Sequence, residues 1–334
     1  MHRTLSLIFV VVLTAAAAPA AGQDPRYRAP RTDAGHPDLE GVWNFNSGVP
    51  LQRPVPFADR TVFTKAEFEQ RRTGLRNFVQ LASKFVPVEA VGVDWIDHTL
   101  HVEDLRTSLI TYPASGRLPA LVEGVKQMPG VEDFVAALSN PKGGAADLQS
   151  LLAGFGGGAK DSYTDFMLSE RCLFGADVPL VPQIDGNYVQ IIQGPDHVAL
   201  LTDLERRIIP LGVSPVDANG PRAWSGSSRG RWEGDTLVVE TRNFNGRLPS
   251  FAGAGFSHEK MVTERFTRTS GNTISYAATV VDPKTFQDRV ELSFPMARVD
   301  ALVYGFACHE GNYSLPLALS GARAEDEAKK TPGR

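Results

Sequence analysis

The sequence predicts a mainly β protein whose antiparallel strands form a meander that closes into a barrel or a strongly bent sheet. Nine strand-length segments follow one another in the second half of the chain, at 188–193, 197–204, 206–211, 228–232, 236–244, 260–269, 273–281, 289–294 and 301–309. Short turns, most of them containing glycine, separate many of these segments, as in consecutive β-hairpins. A meander of this length favours closure or strong bending, because closure removes the open edges of a sheet.

The first half of the chain adds shorter elements to this sheet. Thr64 and Glu67 form a capping pattern at the start of a predicted helix over 64–81. Further strands are predicted at 39–45, 86–93 and 106–112, helical pieces at 122–128, 131–138 and 147–155, and a charged C-terminal helix at 315–330.

Residues 118–167 are predicted to be a helical insertion in the β domain. Its apolar residues Leu151, Leu152 and Phe155 precede three consecutive glycines. An apolar flap on a glycine hinge would cover a cavity and exclude water from it. The same segment is also compatible with a decorated loop or a docking surface for another subunit.

The N-terminal residues indicate export. A positive start, an apolar run from Leu5 to Ala18 and a small-residue stretch predict a signal peptide over 1–22, although an uncleaved anchor is the alternative. Residues 23–38 then form an extended arm, and 39–330 form a single β-rich domain. We therefore expect a periplasmic or secreted protein without a stable membrane span.

Composition limits the classes of partner. The net charge is −4, 42% of residues are hydrophobic and no basic run occurs. A nucleic-acid partner is not expected, because phosphate contacts need clustered Lys and Arg. No glycine-rich phosphate loop opens a helix, and no cofactor is expected. The oligomeric state stays open.

The only two cysteines, Cys172 and Cys308, are predicted to form a disulfide. An oxidising compartment favours the bond, and closing so long a loop would add about 4 kcal/mol on the chain-entropy model. Two buried thiols or a metal pair are the alternatives. If the bond forms, neither cysteine is a nucleophile.

Several phrases occur together in a set order along the mature chain. They are GVWNF at 41–45, RTSLI at 106–110, ERCL at 170–173, QGPDHV at 193–198, SRGRWEGDTLVVET at 228–241, VTERF at 262–266 and ACHEGNY at 307–313. Together they resemble a family of exported proteins common in soil acidobacteria and their relatives. The resemblance implies export and supplies no catalytic residues, and segment 118–167 is longer and more apolar than is usual in that family.

Three residues are candidate catalytic groups. Glu264 falls on the same strand face as Val262 and Phe266, so it faces the core if they do. A buried acid is suited to acid–base catalysis. His309 ends a strand face of small residues that would leave room for a ligand, and His197 begins a strand beside a tight turn. The alternatives are a structural ion pair for Glu264 and a turn cap for His309.

Arginines supply candidate substrate-binding groups, because the planar guanidinium binds carboxylates well. Arg229 and Arg231 share one strand face and are also the obvious ion-pair partners for Glu264. Arg171 precedes Cys172, and Tyr313 completes the set. No metal site is expected, because His98 and His101 have no third ligand at a suitable spacing.

Three functions are compatible with these residues. One is a secreted enzyme, a cofactor-free hydrolase, lyase or isomerase with an acid–base pair in a barrel cavity and a small, partly apolar substrate. Another is a non-catalytic carrier of apolar small molecules, similar to lipocalins in architecture only. A structural role in the envelope is a third possibility that predicts no cavity.

Overall fold

A computed structural model describes residues 27–82, 102–127, 161–166, 171–173, 178–183, 186–212, 214–305 and 307–330. Predicted elements at 86–93, 131–138 and 147–155 lie outside these ranges, as does the predicted signal peptide. No helix in the described ranges is long and apolar enough to cross a membrane.

One ten-stranded antiparallel sheet makes up most of the described chain. Its strands are β1 (Gly41–Asn44), β2 (Ile110–Tyr112), β3 (Tyr188–Gln193), β4 (His197–Leu201), β5 (Arg206–Pro210), β6 (Ser227–Glu233), β7 (Thr236–Arg242), β8 (Met261–Ser270), β9 (Thr273–Val281) and β10 (Val290–Val299). The strand order is β5-β4-β3-β1-β10-β9-β8-β7-β6, with β2 paired to β10. The prediction of a mainly β, antiparallel fold is confirmed.

The two end strands of this sheet, β5 and β6, come together. Leu211, directly after β5, forms a single parallel bridge with Gly230 of β6, and the amide of Gly212 donates to the carbonyl of Gly230 at 2.9 Å. The sheet is therefore strongly bent, but the described strands do not close into a barrel. Of the two predicted alternatives, the barrel is therefore wrong, because β5 and β6 share one bridge and not a ladder of hydrogen bonds. We call this junction the seam.

Gly230 is needed at the seam. A Cβ atom placed on Gly230 would lie 2.9 Å from Leu211 Cδ2 and 3.1 Å from Ile209 Cγ2. These distances are too short for carbon atoms in van der Waals contact. The absence of a side chain therefore allows the end strands to approach each other.

The concave face of the sheet is filled by its own side chains. Alternate residues of each strand point inward, and the largest of them are Trp43, Phe266, Tyr276 and Phe294, each at most 2% exposed. Tyr276 packs between Phe266 and Phe294, with ring centroids 5.0 and 4.8 Å away. The described interior is a packed core, which is the usual content of a small, strongly curved sheet.

The first predicted helix and the C-terminal helix are present among the described residues, whereas the last predicted strand is not. The predicted first helix is confirmed as α1 (Lys65–Ala82), with Thr64 and Glu67 bonded as its cap, and the C-terminal helix as α2 (Ser314–Lys330). The strand at 301–309 is wrong: the described residues there form no ladder.

The start of the insertion also differs from the prediction. Leu121 and Gln127 form isolated bridges to Phe286 and Ala254, so the described residues at 122–127 do not form the expected helical piece. The Gly255 amide donates to the carbonyl of Lys126 at 3.1 Å. These contacts place the described start of the insertion against the loops after β7 and β9.

Replacing Gly230 with valine is predicted to destabilise the protein by about 1–3 kcal/mol, because the new methyl groups would separate the end strands. Valine is otherwise well suited to a strand, so β propensity does not explain such a loss. Gly271→Ala is the control, since nothing lies within 4 Å of a Cβ there. Denaturant unfolding measures both variants, and equal midpoints would contradict this role for the seam.

Candidate functional site

The predicted catalytic acid, Glu264, is fully buried inside the bent sheet. Arg207 of β5 approaches it with two nitrogens, Nη2 at 2.6 Å from Oε2 and Nη1 at 3.2 Å from Oε1. The Tyr276 hydroxyl donates to Oε1 at 2.9 Å. Both carboxylate oxygens therefore have partners within the protein, as a buried charge requires.

Arg207 connects the two ends of the sheet. Its Nη2 also donates to Ser228 of β6 at 3.3 Å and to Thr241 of β7 at 3.2 Å. Burial alone would lower the pKa of this guanidinium, but the charge and hydrogen bonds of Glu264 outweigh burial and hold the pKa above its ordinary value. Burial, and then Glu264, raise the pKa of Tyr276 well above its ordinary value, so its hydroxyl remains a donor. The described contacts are those of a structural network.

The expected partners of Glu264 lie elsewhere. Arg229 and Arg231 alternate with the inward-facing Gly230, and Arg231 bonds Glu240 and Glu233 with nitrogen–oxygen distances of 2.6 and 2.8 Å. They therefore face the outer side of β6. The actual partner is Arg207. It lies two residues before the buried Ile209, so both side chains point to the same face of β5, and this spacing is the signal that identifies Arg207 in the sequence.

His197 does not join Glu264 in the interior. Its side chain is on the outer side of β4, where Nδ1 lies 2.8 Å from Oδ1 of the neighbouring Asp196. This contact lowers the pKa of Asp196. His309 is exposed in the turn before α2. The three predicted catalytic residues thus occupy three different places.

A second buried polar cluster, absent from the sequence predictions, closes one end of the interior. Lys260, 3% exposed, donates to the carbonyls of Ser250 at 2.9 Å and Val178 at 3.3 Å. Its ammonium also lies 4.0 Å from the centre of the Phe244 ring. Burial lowers the pKa of Lys260 to about 8, although the charge of Asp282 opposes that shift. Lys260 thereby links the three segments that contain Val178, Phe244 and Ser250.

The disulfide between Cys172 and Cys308 is confirmed, with their Cα atoms 5.6 Å apart. It brings together residues that the sequence places far apart, because Arg171 precedes one cysteine and His309 follows the other. Asn312 donates to the Cys172 sulfur at 3.1 Å, which places the adjacent Tyr313 in the same region. Three predicted site residues, Arg171, His309 and Tyr313, therefore lie around the disulfide.

A surface cleft of about 190 Å³ lies beside this region. One wall is the turn between β4 and β5, and the other is the chain just before Cys308. Its lining residues are Asp203, Leu204, Glu205, Arg206, Gly305 and Ala307. The lining thus includes two acidic residues and one arginine. Sequence reasoning missed it because its two walls are about 100 residues apart in the chain.

Comparisons of the chain with protein-family models, with curated proteins and with solved structures found no match. The resemblance to exported acidobacterial proteins therefore stays a prediction. Among the described residues, no group of three or more His, Cys, Asp and Glu side chains is placed to hold a metal ion.

The buried Lys260 is predicted to make the stability of the protein increase between pH 8 and pH 10.5. The folded protein releases this proton near pH 8, whereas the unfolded chain keeps it until about pH 10.5. Because the unfolded state then binds more protons, the free energy of unfolding rises with pH, by at most about 3 kcal/mol. Lys260→Met should lack this increase, which denaturant unfolding at several pH values measures.

The control for this experiment is Lys284→Met, which removes an exposed lysine whose ammonium lies 3.7 Å from Glu259. This variant should retain the pH dependence of the wild-type protein. Identical pH profiles for the Lys260→Met variant and the wild type would contradict the assignment.

Proposed function

We propose that this chain is an exported, non-catalytic protein that binds a small, partly apolar molecule in the cleft between the β4–β5 turn and the chain before Cys308. The observation that carries the proposal is the cleft itself, whose walls meet next to the disulfide. The disulfide ties the chain before Cys308, which forms one of these walls, to the segment around Cys172. Preorganisation lowers the cost of ordering a binding site.

The buried network supports a binding function over an acid–base function inside the sheet. Glu264 is shielded from solvent, and Arg207 and Tyr276 take up its carboxylate oxygens. A general acid or base has to come within hydrogen-bond reach of the substrate. A substrate would have to displace both partners and enter the packed core to reach Glu264.

The composition of the cleft is suited to a partly apolar ligand. Leu204 contributes an apolar wall and is 38% exposed, while Asp203, Glu205 and Arg206 contribute polar groups. Drug-sized ligands occupy pockets of about 300–1,000 Å³. A cleft of about 190 Å³ therefore holds a smaller molecule or one part of a longer one.

Export is the second element of the proposal, and the disulfide supports it. Stable disulfides persist in oxidising compartments such as the periplasm and the extracellular space. The described half-cystines, Cys172 and Cys308, are bonded to each other, so both cysteines of the chain are used in this link.

Filling the cleft tests the binding function. Ala307→Trp should abolish retention of small molecules by the purified protein, because the indole occupies the volume between the two walls. Native mass spectrometry after incubation with a metabolite extract measures retention. Lys284→Met, which changes an exposed residue outside the cleft, should retain the same molecules as the wild type. Equal retention by the Ala307→Trp variant would contradict binding in this cleft.

A further inference from the structure

Three of the seven tyrosines of the chain are strongly exposed near the disulfide. Tyr163, Tyr304 and Tyr313 are 57%, 73% and 71% exposed. A large aromatic ring is usually buried, because its burial removes apolar surface from water. Several exposed rings in one region therefore indicate an interaction surface.

Contacts and positions along the chain place these three tyrosines near the disulfide or the cleft. The Arg171 guanidinium lies 5.1 Å from the centre of the Tyr163 ring. Arg171 adjoins Cys172, which is bonded to Cys308 and accepts a hydrogen bond from Asn312, the residue before Tyr313. Tyr304 lies four residues before Cys308 and directly before Gly305, which lines the cleft. Each exposed tyrosine is thus close to the disulfide or the cleft in contacts or in sequence, and we call the three tyrosines together with the cleft the tyrosine surface.

The polar groups of the cleft define what these rings would bind. The Glu205 carboxylate can accept hydrogen bonds, and the Arg206 guanidinium can donate several in one plane. Two carboxylates beside one guanidinium give no large positive charge, so the cleft does not favour a phosphate or another anion. Such groups are well placed to bind the hydroxyls of a neutral, polyhydroxylated molecule.

We propose, resting on the small-molecule binding function given above, that the ligand of this surface is a neutral carbohydrate. One sugar ring would enter the cleft, where its hydroxyls bond Glu205 and Arg206. The following rings of an oligosaccharide would lie across the tyrosines, whose flat faces contact the C–H groups of the sugars. A carbohydrate needs both kinds of contact, and the tyrosine surface offers both.

An aliphatic ligand suits this surface less well. The exposed rings are interspersed with Arg171, His309 and Asn312, and polar residues supply most of the cleft lining. A hydrocarbon chain would leave those polar groups without partners and without water, which costs free energy.

The test measures binding of three defined oligosaccharides, cellotetraose, chitotetraose and maltotetraose, to the purified full chain by titration calorimetry. At least one of them should bind saturably. Tyr304→Ala and Tyr313→Ala should each weaken binding by about tenfold, because each removes a stacking ring. Tyr304→Phe should bind as the wild type does, since it keeps the ring.

Tyr112→Ala is the matched control, because Tyr112 donates a hydrogen bond to Asp288 and is not among the residues that line the cleft. It should bind as the wild type does. Binding that Tyr304→Ala and Tyr313→Ala both leave unchanged would overturn the assignment of the tyrosines. A titration with 1-octanol, a neutral and partly apolar molecule, separates the two proposals. If 1-octanol binds, Ala307→Trp abolishes that binding and no oligosaccharide binds, the carbohydrate inference fails and the cleft remains a binding site. If no probe binds, both proposals fail.

Discussion

The ion pair between Arg207 and Glu264 is the interaction on which the rest of this structure depends. Arg207 lies on one end strand of the sheet, and its guanidinium bonds side chains on β6, β7 and β8. A buried ion pair gives little net stability, because removing both charges from water costs about as much as their attraction returns. Its main effect is on geometry. Only the bent arrangement lets each buried charge meet its partner, so other arrangements leave a charge unpaired at a cost of several kcal/mol.

This constraint explains why the candidate binding site lies outside the bent sheet. The bending fills the interior with aromatic rings and uses Glu264 and Lys260 for structural contacts. The outer features depend on different chemistry. The disulfide fixes the segment before α2, and that segment with the β4–β5 turn forms the cleft. Stability and the proposed binding function thus rely on separate groups of residues, and substitutions in the cleft should leave the fold intact.

Patterns that are local in sequence predicted most of the fold. Alternation and turn residues identified β3 and β9 to the residue, and the Thr64–Glu67 pattern located the start of α1. Long-range features were harder to predict. Alternation indicates that Arg207 faces the interior, but it does not show which strand Arg207 reaches, and the bridge at Gly230 to Leu211 is not visible in any local pattern. The 301–309 strand was predicted from alternation alone, which does not show whether a sheet edge is free to pair. The disulfide was predicted from the oxidising compartment and from the presence of two cysteines. The cleft beside it was not predicted.

Hydrogen exchange of the Arg207→Met/Glu264→Gln double variant tests the central claim most directly. This variant removes both charges together, so no unpaired charge stays buried. If the pair holds the two ends of the sheet together, the amides of β5 and β6 should lose protection while those of β9 and β10 keep theirs. Mass spectrometry of peptides from each strand measures this difference. Equal loss of protection in every strand, or no loss in β5 and β6, would contradict the claim.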